Sequence, residues 1–212
     1  MASHGCCGDK NHESVHNHDE DSAEIGIEYS LYNKIDKEHL ECLNETIEGS
    51  GKTIFKAWED RLNFDIFVES DADEELLFNI PFTGNVKLKG IKVIGEDAET
   101  HPSKLRLFKN RPSMTFDDVS AAADQEFDLA KDKTGAVEYS TKVVTFSNVY
   151  HLTLHFPSNF GGESTKIYYI GLKGEFSEGH HHGVTICTYE ARALPQDHKN
   201  PLNEYSSSRV GQ

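Results

Sequence analysis

The residues best equipped for chemistry in this 212-residue chain are carboxylates, crowded into Glu69-Ser70-Asp71-Ala72-Asp73-Glu74-Glu75 immediately before an apolar run. Asp71, Asp73 and Glu75 are spaced like the first ligands of a helix-loop-helix calcium site, where a hard cation takes carboxylate and carbonyl oxygens. Such a loop needs glycine at its sixth position and glutamate at its twelfth, and Leu76 and Phe82 stand there instead, so that motif fails. Two readings of the cluster stay open. One is a looser calcium site in a loop; the other is a set of carboxylates that cap turns and accept backbone N–H groups, leaving a negative surface patch. We expect the second, with Asp71, Asp73, Glu74 and Glu75 as a candidate partner-binding patch.

The remaining reactive residue types are scattered. His151 and His155 lie on the outward face of an alternating segment, Leu152-Thr153-Leu154-His155-Phe156, and are expected to be solvated or hydrogen-bonded surface residues rather than catalytic bases. No Gly-x-Ser-x-Gly elbow is present. The run His180-His181-His182 alternates between opposite faces if extended, which suits a solvated hairpin tip better than a shared ion. His4, Cys6, Cys7, His12, His16 and His18 could capture a transition metal, but irregular spacing in a polar tail makes a poor specific site. Cys6, Cys7, Cys42 and Cys187 form neither a Cys-x-x-Cys pair nor zinc-finger spacing; Cys187, within Val184-Thr185-Ile186-Cys187, reads as a small buried side chain. No catalytic residue, metal site or cofactor is expected, and the chain reads as a non-enzyme.

The 36 acidic residues outweigh 21 basic ones, giving a formal net charge of −15. That charge repels phosphate backbones and anionic headgroups, so nucleic acid and membrane surfaces are not expected partners. No apolar run approaches the roughly 20 residues that span a bilayer, and the N-terminus lacks the basic-then-apolar layout of a secretory signal. A cytoplasmic and also nuclear monomer is the expected state.

Positioning of the acidic cluster falls to strands. Leu76, Phe78, Ile80 and Phe82 share one face of a half-buried strand. Thr83-Gly84-Asn85 is expected to turn the chain into a second strand, whose apolar phase moves from Val86 and Leu88 to Ile91 and Val93 across Gly90, as at a bulge. Further strands are expected at Leu105–Phe108, Lys142–Phe146, Leu152–Phe156, Thr165–Gly174 and Val184–Tyr189. Met114 to Ala136 is expected to wrap the sheet as a polar loop with room for one helical turn. Gly49-Ser50-Gly51 reads as a turn, Trp58 as a packing residue in the core or on an edge strand, and residues 25–45 as either short helical turns or irregular strands. Residues 1–24 and 191–212 have the composition of disordered tails. The region 25–190 is predicted to be all-β, a two-layer sandwich or jelly roll of roughly eight to ten strands.

Several blocks carry a family resemblance: Glu41-Cys42-Leu43-Asn44, Glu69 to Leu77 with Ile80-Pro81-Phe82, Val86-Lys87-Leu88, Lys104 to Asn110 with Phe116-Asp117-Asp118, Phe146-Ser147-Asn148-Val149 with Leu152-Thr153-Leu154, and Glu163 to Ile167. In this order they resemble the PITH domain, a name that stands for proteasome-interacting thioredoxin. The resemblance implies a β sandwich of the galactose-binding-like, jelly-roll type. It also implies kinship to the C-terminal domain by which a thioredoxin-like protein associates with the proteasome. The sequence carries no Cys-x-x-Cys, so redox catalysis does not carry over, and sandwich likeness alone does not imply sugar binding. The expected function is a non-enzymatic interaction module whose partner is the proteasome or another regulatory complex. The rival expectations are a calcium- or small-ligand-binding sandwich, or a regulatory adaptor acting on signalling or gene expression.

Overall fold

The apolar alternation that begins at Leu76 builds β3, a strand of 20 residues, Leu76–Gly95. The computed structural model describes residues 28–178, and within them β3 is the spine. It does not turn at Thr83-Gly84-Asn85 as expected. The strand runs through with a shift of register between Pro81 and Val86, because Pro81 cannot donate to the ladder while Gly84 lets another strand approach. A Cβ on Gly84 would lie 2.8 Å from the Phe176 ring. The expected bulge at Gly90 is present as a second shift, between Leu88 and Gly90.

At the first irregularity β3 exchanges partners. Its first part pairs with β1 (Glu41–Leu43) and β7 (Val149–Phe156), and β7 leads on to β4 (Lys104–Lys109) and β5 (Gln125–Asp128). Its second part pairs with β8 (Lys166–Ser177) and β6 (Tyr139–Ser140), with β2 (Val68–Glu69) on the far side of β8. All eight strands among the described residues are antiparallel and hydrogen-bonded into one continuous sheet. Because β3 belongs to both parts, the sheet folds on itself as the expected two-layer sandwich. Leu76, Phe78 and Ile80 from one layer meet Ile91, Val93, Ile167 and Ile170 from the other, all buried. Phe78 sits edge-on between Phe55 and Phe156, at centroid distances of 6.0 and 5.9 Å. Each such side chain contributes about 1.5–3 kcal/mol by leaving water.

Two expectations fail locally. Lys142–Phe146 is a turn, not a strand, with Val144 92% exposed; the Phe146 N–H donates to the Lys142 carbonyl at 3.0 Å, and buried Phe146 pins the turn. The Met114–Ala136 connection does wrap the sheet and carries one 3-10 turn, Asp118–Ser120, but it also supplies the edge strand β5, which was not expected. Of the two readings open at Ile54–Trp58, core or edge strand, the core holds: Ile54, Phe55 and Trp58 are buried, and Trp58 is the expected packing residue, stacked 5.3 Å from Tyr29 with the Arg61 guanidinium 4.0 Å from its ring.

The ambiguous stretch before Glu45 resolves into a 3-10 turn at Ser30–Lys34 and β1. Gly49, at φ 84°, leads into a helical turn, Ser50–Thr53. Val184–Tyr189, Cys187, His180-His181-His182, the His and Cys residues from His4 to His18, and the tails 1–24 and 191–212 lie outside the described residues.

Candidate functional site

The acidic cluster is held from one side by Asn44, the residue after β1, at φ 67°. Asparagine tolerates this left-handed conformation because its short amide can bond locally. Its Nδ2 donates to Asp73 Oδ1 at 2.7 Å and to the Glu75 carbonyl at 2.7 Å, and its Oδ1 accepts the Ala72 N–H at 3.0 Å. Asp73 Oδ1 also accepts the Glu75 N–H at 3.0 Å. From the other side, buried Ser70 accepts the Thr165 N–H at 2.8 Å, and the Thr165 hydroxyl donates to the Glu74 carbonyl at 2.6 Å. This is the turn-capping role expected of the cluster. It brings Asp73 and Glu75 into the fold's own hydrogen bonding and leaves the Asp71 and Glu74 carboxylates outside it.

Glu75 reaches inward, its Oε2 3.3 Å from His155 Nε2. His155 is 2% exposed and His151 8%, which corrects the expectation that both are surface residues. They do point away from the sandwich interior, but the connection after β4 covers that outer face. Met114, Val119 and Ala123 pack there on Leu77 and Phe108. Burial pushes the pKa of each imidazole below its ordinary value; the nearby Glu75 carboxylate at His155, and Glu41 at His151, oppose that shift. Neither His151 Nδ1 nor His155 Nδ1, both buried, has a hydrogen-bond partner.

A second polar centre escaped the sequence reading. His101, fully buried, donates from Nδ1 to the Pro102 carbonyl at 2.7 Å, which leaves Nε2 to accept the Asp132 N–H at 3.1 Å. Asp132 then organises the loop that follows. Its carboxylate accepts the N–H groups of Thr134, Gly135 and Val137 at 2.8, 2.8 and 2.7 Å and the Thr134 hydroxyl at 3.0 Å. Burial raises the Asp132 pKa, and these donors outweigh it, holding the group below the ordinary carboxylate value. No single residue type signals such a centre in sequence, since it exists only where two distant loops meet.

Among the described residues no group of three or more His, Cys, Asp or Glu side chains is placed to hold a metal ion. The arrangement supplies exposed carboxylates on a stiff turn, which suits recognition of positive charge.

The PITH domain pattern matches residues 21–193, and the chain belongs to the PITH domain family. It is 64% identical over 200 residues to PITH domain-containing protein GA19395 of Drosophila pseudoobscura pseudoobscura, covering 94% of this chain and 92% of that protein. To PITH domain-containing protein 1 of Homo sapiens it is 60% identical over 174 residues, 82% of each chain. To the Dictyostelium discoideum protein of the same name it is 43% identical over 191 residues, 90% of this chain and 93% of that one. Among solved structures it is similar to a Streptococcus pneumoniae fucose binding module, at TM-score 0.44 and 12% identity over 64% of this chain and 90% of that one. It is also similar to the family 32 carbohydrate-binding module of Clostridium perfringens NanJ, at TM-score 0.45 and 8% identity over 66% of this chain and 97% of that one. The sandwich assignment rests on the strand pairing.

Proposed function

We propose that this domain is a non-enzymatic protein-interaction module that associates with the proteasome or a related regulatory complex. The observation that carries the reading is membership of the PITH family across the whole described region. The surface proposed for docking is the acidic turn Asp71, Asp73, Glu74 and Glu75, with distinct tasks for its members. Asp73 and Glu75 fix the shape of the turn through Asn44 and His155, and Asp71 and Glu74 present charge to a basic partner surface. Attraction of this kind governs encounter rate and register, and salt screens it with a Debye length of about 8 Å at physiological ionic strength.

The test is comigration of the untagged chain with intact proteasomes at physiological salt. Comigration that is lost on replacing Asp71 and Glu74 together by lysine, with the fold intact, is the expected result. Undiminished comigration of that double variant removes the acidic turn from the proposal, and absence of comigration by the native chain removes the proteasome.

A further inference from the structure

Two hollows lie against β1 and share Leu40, Glu41 and Lys52. One, of about 440 Å³, reaches from Glu41 to Asn79, Pro81 and His151. The other, of about 530 Å³, follows β1 past Cys42 and Leu43 to Glu45 and Glu48. Both volumes fall in the range that accommodates small ligands or peptide side chains. β1 hydrogen-bonds to β3, and no other described strand pairs with it. A sheet edge of this kind presents unpaired N–H and C=O groups that an extended segment can join.

What lines the groove says what it would take. Its carboxylates are Glu38, Glu41, Glu45 and Glu48, against the single cation Lys52 and the exposed His39. Glu45 is occupied, accepting the Gly51 N–H at 2.6 Å and the Ser50 hydroxyl at 3.1 Å. Lys52 donates to the Glu38 backbone carbonyl at 3.2 Å. Glu38, Glu41 and Glu48 remain for a guest. Independently of that charge, His151 lines the first hollow, more than nine-tenths buried, with Nδ1 lacking any partner. Buried polar atoms are ordinarily paired, so the side chain of this lining residue is left with incomplete bonding. Ser113, on the rim of the same hollow, holds φ at 54° without being glycine, a strained conformation of the kind that gathers at binding sites.

We propose that this groove receives an extended, lysine- or arginine-bearing segment of a partner protein, which lies along β1 and places one cationic side chain in the hollow between Glu41 and His151. The inference rests on the reading of the domain as an interaction module, but neither on the proteasome as partner nor on the turn at Asp71–Glu75.

The test uses the full chain, ¹⁵N-labelled, titrated with the probe acetyl-Val-Arg-Val-Arg-Val-amide and, in parallel, with acetyl-Val-Glu-Val-Glu-Val-amide. The arginine peptide is expected to shift the amide signals of Glu41, Cys42, Leu43 and His151, and the glutamate peptide to leave them in place. Glu41 is exposed, so Glu41→Lys should preserve the melting temperature while weakening the arginine peptide by about tenfold. No shifts at millimolar peptide, equal response to both peptides, or shifts confined to Asp71–Glu75 would each overturn the groove. If the groove responds while the native chain fails to comigrate with proteasomes, the groove stands and the proteasome reading falls. Comigration without any response at β1 has the opposite meaning.

Discussion

Asp132 and Asp73 both sit in turns and both accept backbone N–H groups, yet the two turns use their charge in opposite ways. Asp132 is 6% exposed, and both of its oxygens are consumed by Thr134, Gly135 and Val137. Its own N–H is held by His101, and the Gly95 N–H bonds to its carbonyl at 3.1 Å. The same loop offers the Gly135 carbonyl to Lys92, whose ammonium lies 5.2 Å from the Trp58 ring centre. Asp73 is exposed and accepts only from Asn44 and Glu75, and its neighbour Asp71 is exposed as well. In the buried turn the carboxylate is spent on holding the fold; in the exposed turn the Asp71 and Glu74 carboxylates stay available to something outside it. A count of acidic residues cannot separate these roles.

Asp132→Ala should do the most damage. It strands three backbone donors, one of them on buried Gly135, and a loss of about 3 kcal/mol or more is expected in urea unfolding. A cost no larger than that of Asp71→Ala would break the comparison.

Acidification comes next. His101, His151 and His155 all have folded pKa values below the ordinary 6.5, with burial the leading cause. The unfolded chain therefore binds more protons just below that pH, and stability is full above it and falls as pH drops through it. Asp132, held below its ordinary 3.8, adds a further loss only when pH falls through that lower range. Urea midpoints measured at roughly pH 7, 6 and 5 should decline in order; a flat series would show that the histidines are not buried as neutral groups.

Asp73→Ala should cost about 1 kcal/mol by thermal or urea unfolding, since two accepted hydrogen bonds are lost where water can replace them. Asp71→Ala and Glu74→Ala should each stay within about 0.5 kcal/mol. Their effect should appear in partner capture and its salt dependence. A large stability loss at Asp71 would mean that the exposed turn, like the buried one, is structural.

Alternation made β3, β4, β7 and β8 legible from sequence, since Leu76, Phe78 and Ile80 or Leu152, Leu154 and Phe156 can be placed only on a buried face. The acidic turn was legible as a capping element through its one local bond, the Glu75 N–H to Asp73 Oδ1, whereas the Asn44 and Thr165 clamps are remote in sequence and were not. Lys142–Phe146 misled because Val143, Val144 and Phe146 favour strands in isolation, whereas the chain turns there and meets β3 through one backbone bond, the Leu88 N–H to the Phe146 carbonyl at 2.9 Å. β5 was hidden by its polarity, with Phe127 its one apolar residue. The burial of His151 and His155 could not be read at all, because Met114 and Val119, which roof their face of the sheet, come from a remote connection. The Asp132 and His101 pairing failed for the same reason.

The partner exchange within β3 also orders events during synthesis. Leu76 pairs with Phe156, and Val86 with Phe176, so both main neighbours of β3 are translated long after it. β1 precedes it but covers only Leu77–Asn79. A nascent chain that ends before β7 therefore carries a long apolar strand with open edges, the kind of segment that recruits chaperones or other copies of itself. Emergence of β8 from the ribosome is the step that lets the sandwich close, and a stalled or prematurely terminated chain is left with its spine exposed.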